Sequence, residues 1–411
     1  MTFSPPSSAL PSEPPSYDRY DIVIIGGAIY GSSVAWWLTR NPDFDGSILV
    51  VERNPTYQFA STTHTNSCMR QQYSSELNVR ISQFAAAFVK NFREWMDNDS
   101  RVPDLPLIST GYLYLADTED FARELLEAQA IQAKCGAGTR HMRVEQIAEE
   151  YPFYFLDDIV AANHNPIDEG YFDGATMFDW WKRTARERGA EYIANEVVDL
   201  AVNPAGTSID AIILKSGERI GCGTVINASG PRAARTASMA DIDLPVEPRK
   251  RFTFVFAAER PIDQPLPLTI NPSGVHVRSD GAYYMAGCAP QEDLAVDYDD
   301  FVEDHDRWEA HVWPAIMERI PQFDALRLIN SWAGHYAYNR FDHNAITGRH
   351  TSIENFVFVN GFSGHGLQQS PAIGRATSEL ILYGEYREID LSPFDYRRIP
   401  ENQPYVEAAV I

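Results

Sequence analysis

Lysine is scarce in this chain, because only 5 of its 34 basic residues are lysine and none follows Lys250. Any cation within residues 251–411 is therefore arginine or histidine. The net charge is -23, although the acidic residues form no long block. Because nucleic acids and anionic membranes attract local positive charge, this balance argues against both as partners.

Cysteine is also scarce, and long apolar runs are absent. The four cysteines are far apart without paired spacing, which argues against a zinc site and against a disulfide framework. We expect no bound metal and a reducing compartment, the cytoplasm. No apolar segment reaches the roughly eighteen residues that span a bilayer, so no membrane span is expected.

The size of the chain favours two domains. With 411 residues and 44% hydrophobic content, it can bury a large core. Residues 1–19 are rich in proline and serine and lack both a basic start and an apolar stretch. They predict a disordered tail rather than a signal peptide or a membrane anchor.

A glycine motif near the N-terminus predicts a dinucleotide site. The motif GGAIYG, at Gly26–Gly31, follows the apolar run Ile22–Ile25 and precedes apolar residues spaced as one face of a helix. Such a turn places backbone amides at the positive end of the helix, where a pyrophosphate binds. Ala28 replaces the middle glycine of the GxGxxG pattern, so we expect a slightly displaced turn.

An acidic residue strengthens this prediction. A second apolar strand, Ile48–Val51, ends at Glu52, whose carboxylate is placed to accept hydrogen bonds from a ribose diol. A glycine turn without a ligand is the weaker alternative. The candidate cofactor residues of this unit are Gly26, Gly27, Ala28, Gly31, Glu52 and Arg53.

A second glycine motif lies near the C-terminus. The motif GFSGHG, at Gly361–Gly366, follows the apolar run Phe356–Asn360 and precedes a predicted helix, Leu367–Leu382. Gly364 and Gly366 would let backbone amides face a flavin ring, and the positive end of the helix would stabilise a reduced, anionic flavin. Together the two motifs suggest a flavoenzyme.

The region between the motifs mixes both kinds of secondary structure. The predicted helices are Leu77–Trp95, Glu119–Lys134 and Gly174–Arg188. The predicted strands are Gly111–Leu115, Tyr192–Leu200, a hairpin over Ile209–Ile220, Thr224–Ala228, Arg251–Phe256, Gly274–Arg278 and Gly281–Ala286. The turn after the strand that ends at Ala228 either lies beside the nucleotide or is an ordinary strand end. The later strands predict a sheet that roofs the site.

Three long motifs carry a family resemblance. They are MRQQYSSELNVRIS at Met69–Ser82, WAGHYAYN at Trp332–Asn339 and GFSGHGLQQSPAIGRA at Gly361–Ala376. Over about Tyr20–Ile399 the chain resembles the FAD-dependent amine oxidoreductases of the D-amino-acid oxidase superfamily, which includes glycine oxidase, sarcosine oxidase and dimethylglycine dehydrogenase. It is most similar to the branch of the mitochondrial flavoprotein implicated in complex I assembly and its bacterial relatives.

The resemblance implies an α/β plus antiparallel β fold. A discontinuous, Rossmann-like FAD-binding domain would comprise residues 20–100, 165–240 and 335–399. A second, sheet-based substrate or cap domain would comprise residues 101–164 and 241–334, with the flavin ring between the two. Residues 400–411 would form a C-terminal tail.

The resemblance also implies positions for FAD. Val197 would contact the adenine through its backbone, and Ser61, Thr62 and Arg70 would face the pyrophosphate and the ring. The remaining cofactor candidates, on the later turns, are Ser229, Gly230, Gly361, Gly364, His365, Gly366, Leu367 and Gln368.

Four residues are catalytic candidates through the same resemblance. Tyr284 and Tyr336 match positions where relatives of sarcosine oxidase place tyrosines around the substrate. His335 and His365 flank the expected flavin face. The alternatives are ordinary packing for the tyrosines and backbone hydrogen bonding for the histidines.

The chain departs from sarcosine oxidase where that enzyme clamps a substrate carboxylate with an arginine and a lysine. Tyr73 and Gln368 stand there and are uncharged. They remain substrate-binding candidates, but a carboxylate would instead meet Arg251, Arg278 or Arg340, unless the substrate lacks one.

Two further departures concern the flavin. The cysteine that tethers it in sarcosine oxidase corresponds to Gly334, so we expect dissociable, non-covalent FAD. His64 lies about two residues from the position of the flavin-linked histidine of dimethylglycine dehydrogenase, and we assign it no such role.

The oxidases activate oxygen with a lysine above the ring, for which only Lys250 is available here. We expect oxygen to be a slow acceptor, and a quinone or electron-transfer flavoprotein to reoxidise the cofactor.

The sequence thus predicts an FAD enzyme that oxidises the C–N bond of a secondary amine or N-substituted amino acid to an imine. One alternative is a flavoprotein with an assembly or partner-binding role and little catalysis. A second is a 2-hydroxy acid oxidoreductase of the same superfamily. A third is an NAD-dependent dehydrogenase, which would leave the second glycine motif unexplained.

Overall fold

The computed structural model describes residues 12–408. Its helices are α1 Ile29–Arg40, α2 Glu76–Lys90, α3 Phe92–Trp95, α4 Glu119–Lys134, α5 Val144–Glu150, α6 Gly174–Glu187, α7 Ala233–Ser238, α8 Trp313–Arg319 and α9 Gly366–Tyr383. Its strands are β1 Arg19–Ile25, β2 Ile48–Glu52, β3 Cys68–Met69, β4 Tyr112–Ala116, β5 Arg140–Arg143, β6 Ala161–Asn165, β7 Gly170–Tyr171, β8 Glu191–Ala194, β9 Val197–Val202, β10 Ile209–Leu214, β11 Arg219–Asn227, β12 Val246–Ala258, β13 Leu268–Ile270, β14 His276–Asp280, β15 Tyr283–Cys288, β16 Leu326–Asn339, β17 Ile346–Arg349 and β18 Phe356–Asn360.

The first sheet is mainly parallel and is buried on both faces. Its strand order is β17-β18-β11-β1-β2-β8, with β10 and β9 continuing from β11 as an antiparallel extension. Strands β18, β11, β1, β2 and β8 are parallel. A core that includes Trp36, Phe88 and Trp181 covers one face, which explains why these strands read as continuous apolar runs. Their carboxyl ends meet at one edge, where ligands of open α/β sheets bind.

The second sheet lies across this edge and is largely antiparallel. Its strand order is β16-β12-β15-β14-β13-β4-β6-β5, and only β13 and β4 pair in parallel. The strands come from two separate segments of the chain, β4–β6 and β12–β16. Between these segments in the sequence lie strands β8–β11 of the first sheet. The fold class is therefore as predicted, a Rossmann-like unit joined to a second sheet.

Several predicted elements differ in detail from the structure. The helix predicted over Leu77–Trp95 is divided at Asn91, which has a non-helical backbone and bonds its side chain back to the carbonyl of Ala87. The strand predicted over Tyr192–Leu200 is two strands. Asn195 separates them, since its side chain turns toward Ser216 and the chain leaves β2 to pair with β10.

Other elements were missed or misread. The residues predicted as the end of a hairpin and as a separate strand form one continuous strand, β11. Strand β16, one of the longest, was not predicted, although it contains the WAGHYAYN motif. It is buried only in its second half, so it shows no regular apolar alternation.

The structure describes part of each predicted tail, residues 12–19 and residues 400–408. Residues 1–11 and 409–411 lie outside the described residues. Residues 12–18 pack beside β8, since the backbone N–H of Glu13 donates to the carbonyl of Ala194 at 2.9 Å. Glu407 is fully buried and accepts hydrogen bonds from Ser74 and Ser75. Residues 12–18 are therefore hydrogen-bonded to β8, and the segment 400–408 is anchored through Glu407.

Within residues 12–408, no helix is long and apolar enough to cross a membrane. The His, Cys, Asp and Glu residues of this range form no cluster that could hold a metal ion. The four cysteines are unpaired thiols.

A buried histidine in the second sheet predicts acid sensitivity. The Nδ1 atom of His164 accepts a hydrogen bond from the Arg140 guanidinium at 2.7 Å, and its Nε2 atom bonds the Tyr151 hydroxyl at 2.9 Å. Burial, and then the Arg140 charge, lower the pKa of His164 from 6.5 to about 4. The unfolded chain binds a proton in this window and the folded chain does not, so stability falls as the pH drops from 6.5 toward 4.

We expect the free energy of unfolding to fall by about 2 kcal/mol between about pH 7 and pH 5 through this histidine. Urea unfolding at both pH values measures it. His164→Asn keeps an acceptor for Arg140 but cannot be protonated, and should lose this part of the pH dependence. His305→Asn, at an exposed histidine, is the matched control and should not. An unchanged slope in His164→Asn would contradict the assignment.

Candidate cofactor and substrate site

A long cavity of about 320 Å³ lies between the two sheets. One wall comes from the carboxyl ends of β1, β2, β11 and β18 and from the first turns of α1 and α9. The other wall comes from β12, β14 and β16. This volume lies in the usual range for ligand sites, and the position is the one expected for an open α/β sheet.

The first glycine motif forms one part of the wall. Gly26, at a φ of 99°, ends β1, and Ala28 precedes the first turn of α1. The backbone N–H of Ile29 donates to the Thr62 hydroxyl at 3.2 Å, so the loop after β2 is tied to the helix start. Gly27 and Gly31 belong to the same turn but do not line the cavity.

Glu52 lies beside this turn at the end of β2. Its carboxylate accepts hydrogen bonds from the backbone N–H groups of Gly27, at 2.9 Å, and Asn54, at 2.8 Å. Burial raises the pKa of the Glu52 carboxyl because it disfavours the charged form. Hydrogen bonds donated by the hydroxyl groups of a ligand would favour the charged form again. Arg53, Val197, Ser229 and the neighbouring Gly230 line the same end of the cavity, which we call the β2 end.

The second glycine motif joins β18 to α9 at the other end. Ser363 and Gly364 have φ values of 48° and 95°, and the ring of Tyr336 lies against Gly364, where an added Cβ would lie 2.5 Å from Cε2 of the ring. The hydroxyl of Tyr30, in the first turn of α1, donates to the carbonyl of Gly366 at 2.7 Å. The first turns of α1 and α9 therefore meet at the cavity, with Leu367 also in its wall.

A buried polar network fixes His365. Its Nε2 atom lies 2.7 Å from Nη2 of Arg70, and because a guanidinium only donates, this nitrogen accepts. The backbone N–H of Arg70 donates to Gln368 at 2.8 Å, and the Gln368 amide donates to the hydroxyl of Tyr73. Tyr73 and Gln368 are thus partners of each other, and Tyr73 does not line the cavity. Tyr73 therefore lies behind Gln368, which itself lines the cavity.

His335 lies in the middle of the cavity. Its Nε2 atom donates to the carbonyl of Asp300 at 2.8 Å, and its own carbonyl accepts from Ser61 at 2.6 Å. Burial lowers its pKa. The ring of Phe301 stacks on the imidazole with a centroid distance of 4.2 Å. A neutral, aromatic contact surface results.

The end of the cavity beyond Tyr336, which we call the arginine end, carries positive charge. The Arg251 guanidinium lies 4.6 Å from the centroid of the Tyr336 ring and is held by both carboxylate oxygens of Asp293. Its Nε–H meets no acceptor within residues 12–408. Arg70 also lines this end, together with His276. Burial, and then neighbouring arginines, lower the pKa of His276 to about 4, so its ring is neutral near pH 7.

Four other candidates, Tyr284, Arg278, Arg340 and Gly361, do not line the cavity. Tyr284 packs in the core of the second sheet, 4.6 Å from the ring of Phe323, and its hydroxyl accepts from the backbone of Ile262. Successive strand residues face opposite sides, and this one faces the core. Arg278 lines a separate depression and is bound to Asp280.

Arg340 is exposed and lines neither the cavity nor the depression. Gly361 lies behind the cavity wall, next to Asn339. Lys250 donates to Asp300 at 2.6 Å and to the carbonyl of Val302, and it also does not line the cavity.

Some residues at the cavity were not predicted from the sequence. They are Asn66, Tyr112, Arg232, Arg235, Thr253, Leu268, His276, Tyr298, Asp299 and Phe301. Arg232 follows directly after the turn at Ser229–Pro231, and that position was a usable signal. His276 is a single histidine at the start of a short strand, and no local pattern distinguishes it from a structural histidine.

The residues at the cavity fit FAD. A pyrophosphate would meet the first turns of two helices and the cations Arg53, Arg232 and Arg235. A ribose diol would meet the Glu52 carboxylate, whose placement beside Gly27 leaves it facing the cavity. The aromatic and neutral contact surface at His335 and Tyr336 suits a flat ring.

FAD released by acid is a direct test of non-covalent binding. Gly334 lines the cavity and has no side chain that could form a covalent bond, and an added Cβ there would lie 2.7 Å from Cβ of His64. We therefore expect acid precipitation to leave all the yellow colour in the supernatant. Colour retained in the pellet would contradict this and would point to His64, whose Nδ1 atom is buried without a partner within residues 12–408.

Comparisons with known proteins show the family of this chain. A family model described as DAO, FAD dependent oxidoreductase, matches residues 21–380. The chain is 34% identical to FAD-dependent oxidoreductase domain-containing protein 1 of Xenopus laevis, over 99% of this chain and 87% of that protein. It is 25% identical to mitochondrial dimethylglycine dehydrogenase of Rattus norvegicus, over 97% of this chain but only 47% of that protein. The crystal structure of L-proline dehydrogenase from P. horikoshii superposes with a TM-score of 0.81 at 25% identity, over 94% of this chain and 99% of the other.

Proposed function

Because this chain belongs to the DAO family of FAD-dependent oxidoreductases, we propose that it oxidises the C–N bond of a secondary amine or N-substituted amino acid to an imine. FAD is the cofactor of the family, as the two glycine motifs predicted. The chemistry that FAD supplies is acceptance of two electrons, as a hydride at its N5 atom. The substrate class is supported by relatives named for proline and dimethylglycine.

The distribution of charge in the cavity carries the proposal. Its lining carboxylates, Glu52, Glu196 and Asp299, all lie at the β2 end. The arginine end carries Arg70 and Arg251. A substrate that binds there meets two cations, a neutral imidazole and aromatic rings, which is the environment of an amino acid whose carboxylate faces arginine.

The same charges favour the neutral form of the substrate amine, which is the form that can be oxidised. Loss of a hydride from the neighbouring carbon requires a neutral amine with a free electron pair. Nearby guanidinium groups disfavour an ammonium ion and lower its pKa, while the neutral rings of Tyr336 and His276 offer no compensating charge. We assign Arg251 to the substrate carboxylate, Tyr336 to the wall beside the reacting carbon, and His365 to holding Arg70 in place.

An anaerobic titration of the flavin spectrum tests the proposal. The panel pairs each N-substituted amino acid with the amine that lacks the carboxylate, such as proline with pyrrolidine, and includes D-amino acids and 2-hydroxy acids. We expect bleaching by N-substituted amino acids at concentrations where the matched amines have little effect.

The other outcomes separate the alternative functions. Bleaching by 2-hydroxy acids alone would indicate C–O rather than C–N oxidation. Bleaching by dithionite but by no member of the panel would favour the partner-binding role over the enzymatic one. Equal bleaching by proline and pyrrolidine would retain amine oxidation and remove the role of Arg251.

Oxygen is expected to be a slow acceptor. Lys250, the last lysine of the chain, is held by Asp300 outside the cavity lining, so it is not available beside the flavin. We propose a quinone or an electron-transfer protein as the physiological acceptor. Amine consumption, followed as loss of the amine, should be much slower in air than in an anaerobic solution with an added quinone. Hydrogen peroxide formed in air at the rate seen with quinone would exclude this proposal.

A further inference from the structure

A single loop of the second sheet crosses the cofactor cavity. Residues 289–304, here called the strap, join β15 to the helical segment that begins at Trp308. Three strap residues, Tyr298, Asp299 and Phe301, line the cavity. The strap thus contributes side chains to a site whose nucleotide-binding turns lie on other elements.

The strap is bound at the β2 end by one carboxylate between two arginines. Asp299 lies 2.6 Å from the Arg232 guanidinium and 3.6 Å from that of Arg53, which directly follows Glu52. The Arg232 side chain is 15% exposed, whereas that of Asp299 is 51% exposed, so this contact lies at the mouth of the cavity. The Arg232 guanidinium also lies 5.1 Å from the ring centroid of Tyr298.

An aromatic contact binds the strap further along the cavity. Phe301 stacks on His335 and also contacts the ring of Phe59, at a centroid distance of 4.9 Å. Phe59 belongs to the loop that follows β2, so this contact joins the strap to the nucleotide-binding part of the chain. On the side of the second sheet, the strap is anchored by Asp293 on Arg251 and Asp300 on Lys250.

We propose that the strap is part of the cofactor site and retains FAD, with Asp299 as the residue that holds it closed. The nucleotide-binding turns supply part of the cavity lining, and the strap reaches that part through the contacts of Asp299 with Arg232 and Arg53. FAD that is not covalently bound leaves only when the strap moves, so the contacts of Asp299 and Phe301 set the rate of release. Asp299 is a positioning residue and has no part in the chemistry.

The release rate of FAD from the holoenzyme tests this role, by the rise in flavin fluorescence after dilution. We expect Asp299→Asn to release FAD about fivefold faster, since an exposed ion pair contributes little more than that factor. In about 1 M NaCl, where the screening length is about 3 Å, contacts between phosphate and arginine weaken in both proteins, but the difference in release rate between the wild-type protein and Asp299→Asn should largely disappear. Asp299→Glu, which keeps the charge, should restore slow release.

Asp306→Asn is the matched control, because it removes the same charge from an exposed position just beyond the strap. It should release FAD at the wild-type rate. Phe301→Ala should accelerate release without loss of the salt response, because the ion pair remains. Slower release or tighter binding in Asp299→Asn would overturn the proposal, since it would show that Asp299 only competes with the cofactor for Arg232. Equal acceleration by Asp306→Asn would overturn it as well. The test needs no substrate, so it is independent of the proposed amine oxidation.

Discussion

Arg251→Met is expected to lower the second-order rate constant of flavin reduction by an N-substituted amino acid at least about 30-fold. Truncating one partner of a buried, hydrogen-bonded charge pair costs about 2–5 kcal/mol, much of it from the carboxylate left without a partner. We expect the substrate concentration that gives half the maximal rate of flavin reduction to rise, while the maximal rate itself changes little. Both are measured by anaerobic stopped-flow at the flavin absorbance.

The geometry of Arg251 is the reason for choosing it. Asp293 holds the guanidinium from behind, and Tyr336 packs across its face. The guanidinium is therefore fixed before substrate arrives, which reduces the entropy lost on binding. Arg251→Lys keeps the charge but loses the planar pair of donors, so it should recover only part of the rate.

Arg340→Met is the matched control, because Arg340 is an exposed arginine away from the cavity. It should leave the rate unchanged. The amine without a carboxylate provides the second control, since its slow reduction should be the same in Arg251→Met and in the wild type. A large loss with that amine as well would indicate a disturbed site rather than a lost carboxylate contact. Wild-type kinetics in Arg251→Met would contradict the assignment outright.

Gly31→Ala is expected to abolish FAD binding and to lower the free energy of unfolding by about 3 kcal/mol or more, as for severe overpacking. An added Cβ at Gly31 would lie 1.9 Å from the carbonyl oxygen of Gly26. The Cα of Gly31 and the carbonyl of Gly26 both belong to the backbone between β1 and the first turn of α1. The clash can therefore be relieved only if α1 moves away from β1. That movement would displace the helix start from the cavity. Thermal unfolding of the FAD-free protein and FAD titration measure the two effects.

Gly366→Ala is the comparison for this prediction. An added Cβ at Gly366 has its nearest contacts at 3.4 Å, and the residue begins α9 with an ordinary helical backbone. Alanine at such a position is expected to be neutral or slightly stabilising in the FAD-free protein. An FAD-binding, normally stable Gly31→Ala protein would show that the turn is more adaptable than the structure indicates.

The sequence by itself determined the fold class, the family and the cofactor. Apolar runs at β1, β2 and β18, each followed by a glycine turn or an acidic residue, are local patterns, and a nucleotide-binding turn needs only neighbouring residues to form. The fold class and FAD are confirmed by the family match and the superposition. Local patterns also located α4, α6 and α9 closely, although not the break at Asn91.

Only the tertiary structure decided which residues share the cavity. Three arginines were equal candidates for a carboxylate, and their neighbours in sequence do not distinguish them. The pairing of β12 with β16 brings Arg251 to the cavity beside Tyr336, whereas Arg278 meets Asp280 and Arg340 meets solvent. The strap and His276 were missed for the same reason. Two of their contacts, that of His276 with Asn66 and that of Asp299 with Arg53, join residues more than two hundred positions apart. Such contacts depend on how two sheets pack rather than on any periodicity within one segment.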